Sequence, residues 1–394
     1  MLSKPQFVGE KSGTTLKDSC VLIMGQSPSS NSYNTSGDGL PFYQGNADFG
    51  EESPVPRSWC TELKKIAEKG DILISVRAPI GAINIADEKC CIGRGVAAIR
   101  PNQEVMSPDF LQHQLFASRN KLEAMGTGST FKAIGKKTLS DFPVVIYPKN
   151  TQEAIAQQLN LIKKQIKTVN SQLDQLDSLV KSRFVEMFGN PVDDKLWPHV
   201  TLAELCTKLG SGSTPRGGRS TYKTEGIPLI RSMNVHNGCF VWKDLTYIDD
   251  DQAAKLNGVT LMKGDVLLNI TGASVARSCI LPDELVGGRV NQHVSIVRVD
   301  QTKMLPIILN MALINDSYQR FLLNDSRMAG ATREAITKED LKSMMVPLPP
   351  LSLQQQFANF AVQVDKSRFI SISRYRDILI KTDTETHISR DSSN

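Results

Sequence analysis

One long internal repeat constrains this chain more than any other feature. Thr15-Leu16, Cys20, Pro28, Gly39-Leu40-Pro41 and Lys69-Gly70-Asp71 recur in order as Thr201-Leu202, Cys206, Pro215, Gly226-Ile227-Pro228 and Lys263-Gly264-Asp265. The offset drifts from 186 to 194, as insertions in loops would cause, and then locks at 202. There Gly128-Ser-Thr-Phe-Lys-Ala-Ile134 faces Gly330-Ala-Thr-Arg-Glu-Ala-Ile336, and ten of 29 ungapped pairs from 128 to 156 are identical, where chance gives about two at typical residue frequencies. A period of about 200 residues far exceeds the roughly 20–50 of solenoids. Each copy is therefore a domain with an appended element, and 394 residues at about 150 per domain leave room for two or three domains.

Within each copy, apolar runs bounded by Gly and Pro predict short buried strands: 71–76 and 96–99 in the first, 265–270 and 294–297 in the second. Helices are expected over 107–117 and 305–323. After Pro148 the pattern becomes a heptad. Ile155, Leu159, Ile162, Ile166, Val169, Leu173, Leu176 and Val180 alternate spacings of four and three, the seam of a coiled coil. Asn150 with Glu153, and Ser352 with Gln355, predict a capping box at the same point of both copies. Gly189-Asn190-Pro191 supplies a stop. Thr151 to Phe188 makes a rod of about 57 Å at 1.5 Å per residue. The second copy starts similarly with Phe357, Phe360 and Val364, but Ser367, Ser371 and Arg374 then occupy the seam, so a shorter or more loosely paired helix is expected, ending in a polar, disordered tail over 381–394. The apolar stripe can be covered by an antiparallel pair within the chain or by dimerisation of two chains; the repeat favours the first, because it supplies a partner without loss of translational entropy. The expected class is α+β: two repeated mixed α/β domains joined by long helices packed as an antiparallel coiled coil, with pseudo-two-fold symmetry.

Composition narrows the function only by exclusion. Hydrophobic residues at 40% and charged residues at 22%, with 27 Gly and 19 Pro, describe a globular chain rather than collagen or a disordered one. The seven cysteines never show the C-x-x-C spacing, so reduced, mostly buried thiols are expected. No apolar run reaches the ~20 residues of a membrane span, and MLSKPQFVGEKSGTT lacks the apolar region of a signal peptide; no membrane partner and a cytoplasmic location are the default. The net charge of +5 permits a polyanionic partner without demanding one.

Catalytic motifs are missing. The histidines at 113, 199, 236, 293 and 387 are isolated, which disfavours a metal site. Gly210 to Gly217 lacks the Gly-Lys-Ser/Thr of a phosphate loop, Asn190-Pro191-Val192 fails the adenine-methyltransferase motif, and Pro282-Asp283 with Asp340-Leu-Lys342 makes a poor nuclease. What remains are basic and amide residues near Gly/Pro turns: Gln44, Asn46, Arg77, Arg94 and Lys132 in the first copy, and Arg231, Asn234, Arg277, Arg289, Asn291 and Arg333 in the second. Such side chains clamp phosphates and read base edges, and in a duplicated basic protein they suggest double-stranded DNA.

Several phrases carry a family resemblance: Pro41-Phe-Tyr-Gln-Gly-Asn-Ala-Asp-Phe49, Ser75-Val-Arg-Ala-Pro-Ile-Gly81 with Gly93-Arg-Gly95, Thr271-Gly-Ala-Ser274 with Val290-Asn-Gln-His293, and Arg183-Phe-Val-Glu-Met-Phe-Gly189. Together, over about 15 to 380, they resemble the specificity (S) subunits of type I restriction-modification enzymes. The resemblance implies two target-recognition domains, at 15–149 and 191–350, flanked by an N-terminal extension over 1–14 and by helices over 150–190 and 351–380. It implies a non-catalytic subunit in which each domain reads half of a bipartite DNA site. The helices would set the spacer and dock two methyltransferase (M) subunits, with restriction (R) subunits joining them. No cofactor is implied for this subunit; S-adenosylmethionine, ATP and Mg belong to the partners. The rival expectation is a coiled-coil adaptor that binds proteins and no DNA. Two departures from the family stand out: Ala276 where a second Gly is usual, and Ala82 where an acidic residue is common.

Overall fold

The computed structural model describes residues 14–128, 132–192, 195–215, 217–324 and 335–391. The chain divides into two compact units, 1–167 and 168–394. The first contains strands β1 (Cys20–Met24), β2 (Leu40–Tyr43), β3 (Ile72–Ser75), β4 (Ile83–Ile85), β5 (Cys90–Ile92) and β6 (Val96–Pro101), helix α1 (Pro108–Ala117) and the start of helix α2 (Lys149–Phe188). The second contains the rest of α2 with β7 (Cys206–Ser211), β8 (Ile227–Ile230), β9 (Val266–Asn269), β10 (Ser278–Ile280), β11 (Arg289–Val290), β12 (Val294–Val299), α3 (Pro306–Leu313), α4 (Asp316–Asn324) and α5 (Leu351–Asp391).

Each unit holds a four-stranded antiparallel sheet of the same order, β1-β6-β3-β4 in one and β7-β12-β9-β10 in the other. The runs predicted as buried strands form its centre. Side chains alternate across a strand, so Ile72, Ile74, Ala97 and Ile99 face α1 through Phe110, Leu111 and Leu115. Leu73, Val96 and Ala98 instead face Tyr43, Cys90 and Ile92 of a second sheet, in which β2 and β5 run parallel. The same division recurs in the second unit, with Val266 and Leu268 on the helical side, Leu267 and Ile296 on the other, and β8 parallel to β11. With both faces covered, these strands read as continuous apolar runs. Each copy also closes on itself: Leu16 N donates to Phe142 O (3.0 Å) and Leu202 N to Met344 O (2.9 Å).

The repeated Lys-Gly-Asp phrase acquires a role here. Asp71 takes a bidentate contact from Arg100 of β6 at 2.7 and 2.8 Å, and Asp265 takes one from Arg298 of β12 at 2.6 and 2.8 Å. Each buried carboxylate thus locks the turn before β3 or β9 to its neighbouring strand.

The long helices begin at equivalent points, one residue before the expected caps. Pro148 O accepts from Thr151 N and Gln152 N, and Pro350 O from Leu353 N and Gln354 N. Asn150 and Ser352 therefore lie inside the first turn of α2 and α5, and the capping boxes expected there are not formed. The anchoring group is instead a fully buried glutamine in each copy. Gln152 accepts from Ser107 N (2.8 Å) and donates to Val105 O (2.8 Å) and Tyr147 O (2.7 Å). Gln354 repeats this with Leu305 N (2.8 Å), Lys303 O (3.0 Å) and Pro349 O (2.8 Å).

Burial along α2 follows the predicted seam: Ile155, Ile162, Ile166, Val169, Leu173, Leu176 and Val180 are half-buried among exposed neighbours, while Leu159 is exposed. The first unit extends to 167 because the opening turns of α2 belong to it. Asn160 donates to Asp109 (2.9 Å) and meets His113 (2.8 Å), while Lys163 and Lys167 pair with Glu52 and Glu51. Within the second unit, Phe184, Phe188 and Phe357 cluster at 5.2–5.7 Å. Arg183 lies over Phe360 and Asp177 pairs with Arg368. Contacts thus run in opposite order along the two helices. Gly189, at φ 76°, ends α2 as the stop signal predicts, with its N–H on Val185 O.

Three expectations need correction. The helix expected over 305–323 breaks at Asn315, whose side chain accepts from Ser317 N and Tyr318 N and so caps a new helix, α4. Helix α5 has 41 residues against 40 for α2, so it is not the shorter one. It continues through 381–391, where a disordered tail was expected, because no Gly or Pro interrupts it.

The departure at Ala276 is a departure in residue, not in conformation. Gly81 N donates to Ser75 O and Ala276 N to Asn269 O at the equivalent turn, and both residues are left-handed, at φ 83° and 68°. Alanine pays the steric penalty of this region, while glycine avoids it.

Candidate nucleic-acid interface

At one end of the first unit, backbone hydrogen bonds place four of the predicted residues on a single row. Gly95 N donates to Gln44 O (3.0 Å), Val76 N to Gly95 O (2.9 Å), and Ala78 N to Lys132 O (3.1 Å), while Arg77 bridges to Ala133. Gln44, Arg77, Arg94 and Lys132 therefore stand together, all exposed. The row needs glycine beside Arg94, since a Cβ on Gly95 would lie 2.3 Å from Gln44 O. Asp48 accepts from Gln44 N (2.7 Å) and caps the short turn that holds the half-buried Asn46. The Arg77, Arg94 and Lys132 side chains form no ion pair among the described residues, so this edge carries three unneutralised cations.

Matching contacts build an equivalent row in the second unit. Asn291 N donates to Ile230 O (3.1 Å) as Gly93 N does to Tyr43 O (2.8 Å), and Ile270 N to His293 O (2.9 Å) as Val76 N does to Gly95 O. Thr271 bridges to Ala335 as Arg77 does to Ala133. Asn291, Gln292 and His293 thus replace Gly93, Arg94 and Gly95, and Thr271 replaces Arg77. The chemistry differs: here the row presents amide, hydroxyl and imidazole groups, linked through Thr271 Oγ1 to His293 Nδ1 (2.5 Å), His293 Nε2 to Gln292 Nε2 (3.1 Å), and Gln292 Oε1 to Thr214 Oγ1.

Three predicted contacts in this unit belong to its interior. Asn234 is fully buried, accepts from Arg231 N and donates to Val241 O and Lys243 O. Arg289 is 7% exposed and donates to Ala253 O, Gly287 O, Gly288 O and Asn257 Oδ1; burial pulls its pKa below the usual arginine value. Asn291 is buried and turns the chain by accepting from His293 N (3.0 Å). None of the three side chains can reach a groove. Arg231 is half-buried, donates to Asp244 O and lies 5.5 Å from the Tyr222 ring. Arg277 is half-buried on the turn that follows Thr271. Arg333 lies outside the described residues.

Sequence reasoning missed Gln292 and its supports Thr271, His293 and Thr214. The signal was present: Gly-Arg-Gly at 93–95 aligns with Asn-Gln-His at 291–293 once the copies are paired at an offset of 198.

Among the described residues, no group of three or more His, Cys, Asp or Glu could hold a metal ion, and no helix is long and apolar enough to cross a membrane.

Comparison with known proteins agrees with the duplicated architecture. The chain is 42% identical over 160 residues to the putative type I restriction enzyme MjaX specificity subunit of Methanocaldococcus jannaschii, covering 41% of this chain and 38% of that relative. It is 22% identical over 336 residues to the type I restriction enzyme EcoKI specificity subunit of Escherichia coli, covering 79% and 70%. The crystal structure of the type I restriction-modification system S subunit from M. genitalium shares the fold, with TM-score 0.59 and 14% identity over 98% of this chain and 96% of that one. The profile of the type I restriction modification DNA specificity domain matches twice, over 12–178 and 194–378, once for each copy of the repeat; the chain belongs to that family.

Proposed function

We propose that this chain is the non-catalytic DNA-specificity subunit of a type I restriction-modification enzyme, each domain reading one half of a bipartite, asymmetric site in double-stranded DNA. The carrying observation is that matching backbone contacts build an equivalent row in both copies, yet the rows display different side chains: Gln44, Arg77, Arg94 and Lys132 in one, Thr271, Gln292 and His293 in the other. A shared scaffold with divergent tips is what two readers of two different half-sites require. Domains at 15–149 and 191–350 carry the rows. The helices at 150–190 and from 351 onward pack as an antiparallel coiled coil with pseudo-two-fold symmetry and act as the spacer ruler. The opposite order of contacts from Asp177–Arg368 to Phe184–Phe357 supports that arrangement. Two methyltransferase subunits dock on the helices, where Val362, Phe369, Ile370 and Ile372 expose apolar surface, and restriction subunits join them. S-adenosylmethionine, ATP and Mg sit on those partners, and the complex acts in the cytoplasm.

Replacing Arg77, Arg94 and Lys132 together by Gln tests the reading. Each lost phosphate contact lowers the slope of log affinity against log salt by about 0.9, so the slope should fall by up to about 3. An unchanged affinity and slope on duplex DNA would remove the first row from the interface.

A further inference from the structure

We propose that Gln292 reads an adenine in the half-site of the second domain; this rests on the DNA-reading function proposed above and names the base. A primary amide carries two N–H donors and two oxygen lone pairs. In this structure one N–H faces His293 Nε2 (3.1 Å), and the oxygen faces the Thr214 hydroxyl. His293 is in turn held by Thr271 Oγ1 at 2.5 Å. Among the described residues the amide is left with one N–H and one lone pair, on an exposed residue. Turning the amide end for end leaves the same count, because His293 then donates to the oxygen and Thr214 accepts from the nitrogen.

One donor beside one acceptor complements a single base edge in the major groove. Adenine offers N7 as acceptor and the N6 amino group as donor, guanine offers two acceptors, cytosine a donor, and thymine an acceptor with a methyl group. The Thr271-His293-Thr214 chain fixes the amide before any DNA arrives. Arg94, at the same rung of the first domain, has donors only and suits guanine or phosphate. The two copies thus present distinct hydrogen-bond alphabets from the same backbone position.

The experiment is selection from randomised duplex DNA by the full chain in complex with the methyltransferase subunits of its system, followed by sequencing. With Gln292→Ala, preference for one adenine of one half-site should fall roughly 5- to 150-fold, the equivalent of about 1–3 kcal/mol for a bidentate pair. The rest of that half-site and the whole of the other should hold. Gln292→Glu keeps the length but replaces the N–H donor by an acceptor, so the preferred base should move toward cytosine, whose N4 amino group donates. An unchanged motif in Gln292→Ala, or an even loss across the entire half-site, overturns the assignment while leaving the DNA reading intact. A wild-type complex with no sequence preference overturns both.

Discussion

Gln354→Leu removes the amide that anchors α5 while keeping most of its volume. Three groups lose a partner: Leu305 N, Lys303 O and Pro349 O, at 2.8, 3.0 and 2.8 Å. Water reaches the Lys303 side of the site, whereas the Pro349 bond is fully buried. A buried polar group left unpaired costs about 1–3 kcal/mol; two decisive groups give roughly 2–6 kcal/mol. The more apolar leucine returns about 1 kcal/mol. The net cost of about 1–5 kcal/mol corresponds to a roughly 5- to 5,000-fold rise in the local opening constant. Hydrogen exchange followed by mass spectrometry reads this directly: exchange should quicken in peptides spanning 303–309 and 349–357. The repeat supplies an internal control, since 103–112 and 147–156, anchored by Gln152, should not change. Gln152→Leu should produce the reciprocal pattern. A change below threefold around α5, or equal quickening in both copies, would refute the anchoring argument.

Three other perturbations follow from the same geometry. Asp265→Ala should cost about 3–5 kcal/mol by stranding the mostly covered Arg298, and Asp71→Ala clearly less, because the Arg100 side chain is 42% exposed against 21% for Arg298; urea unfolding compares them. Gly81→Ala should destabilise by about 1–2 kcal/mol through left-handed backbone strain, whereas Ala276→Gly should be nearly neutral, relief of strain offsetting a lost buried methyl; thermal melts check the pair. Burial raises the thiols of Cys90, Cys206 and Cys279 from 9.0 to about 12. Above pH 9 the unfolded chain therefore loses thiol protons that the native state keeps, so stability is full below pH 9 and declines toward pH 12. At neutral pH a thiol reagent should label exposed Cys239 first and buried Cys60, Cys90, Cys91 and Cys279 only after unfolding.

Periodic features were legible in the sequence because they reflect burial, and burial repeats. The seam from Ile155 to Val180, the strands around 72–75 and 266–269, and the common start of both long helices all express which side chains must leave water. The helix ends were less legible: Pro148 and Pro350, with a buried glutamine behind each, do what Asn150 and Ser352 were expected to do. The candidate row was half legible. Arg77, Arg94 and Lys132 present exposed side chains from it, whereas Asn234 and Arg289 are buried in the interior and Asn291, though on the second row, is buried as well. Arginine and asparagine in a Gly/Pro turn serve equally well to satisfy buried carbonyls and amides as to contact a groove, and only tertiary packing separates the two uses. Gln292 was passed over because Gly93-Arg94-Gly95 and Asn291-Gln292-His293 share no residue, so only pairing the copies at an offset of 198 sets it against Arg94.

The central claim is that two copies of one scaffold read two different halves of a DNA site. Single-molecule sequencing of methylated adenine in cells that express this chain with its methyltransferase subunits tests it most directly. The account predicts two short, dissimilar specified segments separated by an unspecified spacer of fixed length. A single continuous motif, two identical segments, or methylation that does not depend on this chain would contradict it.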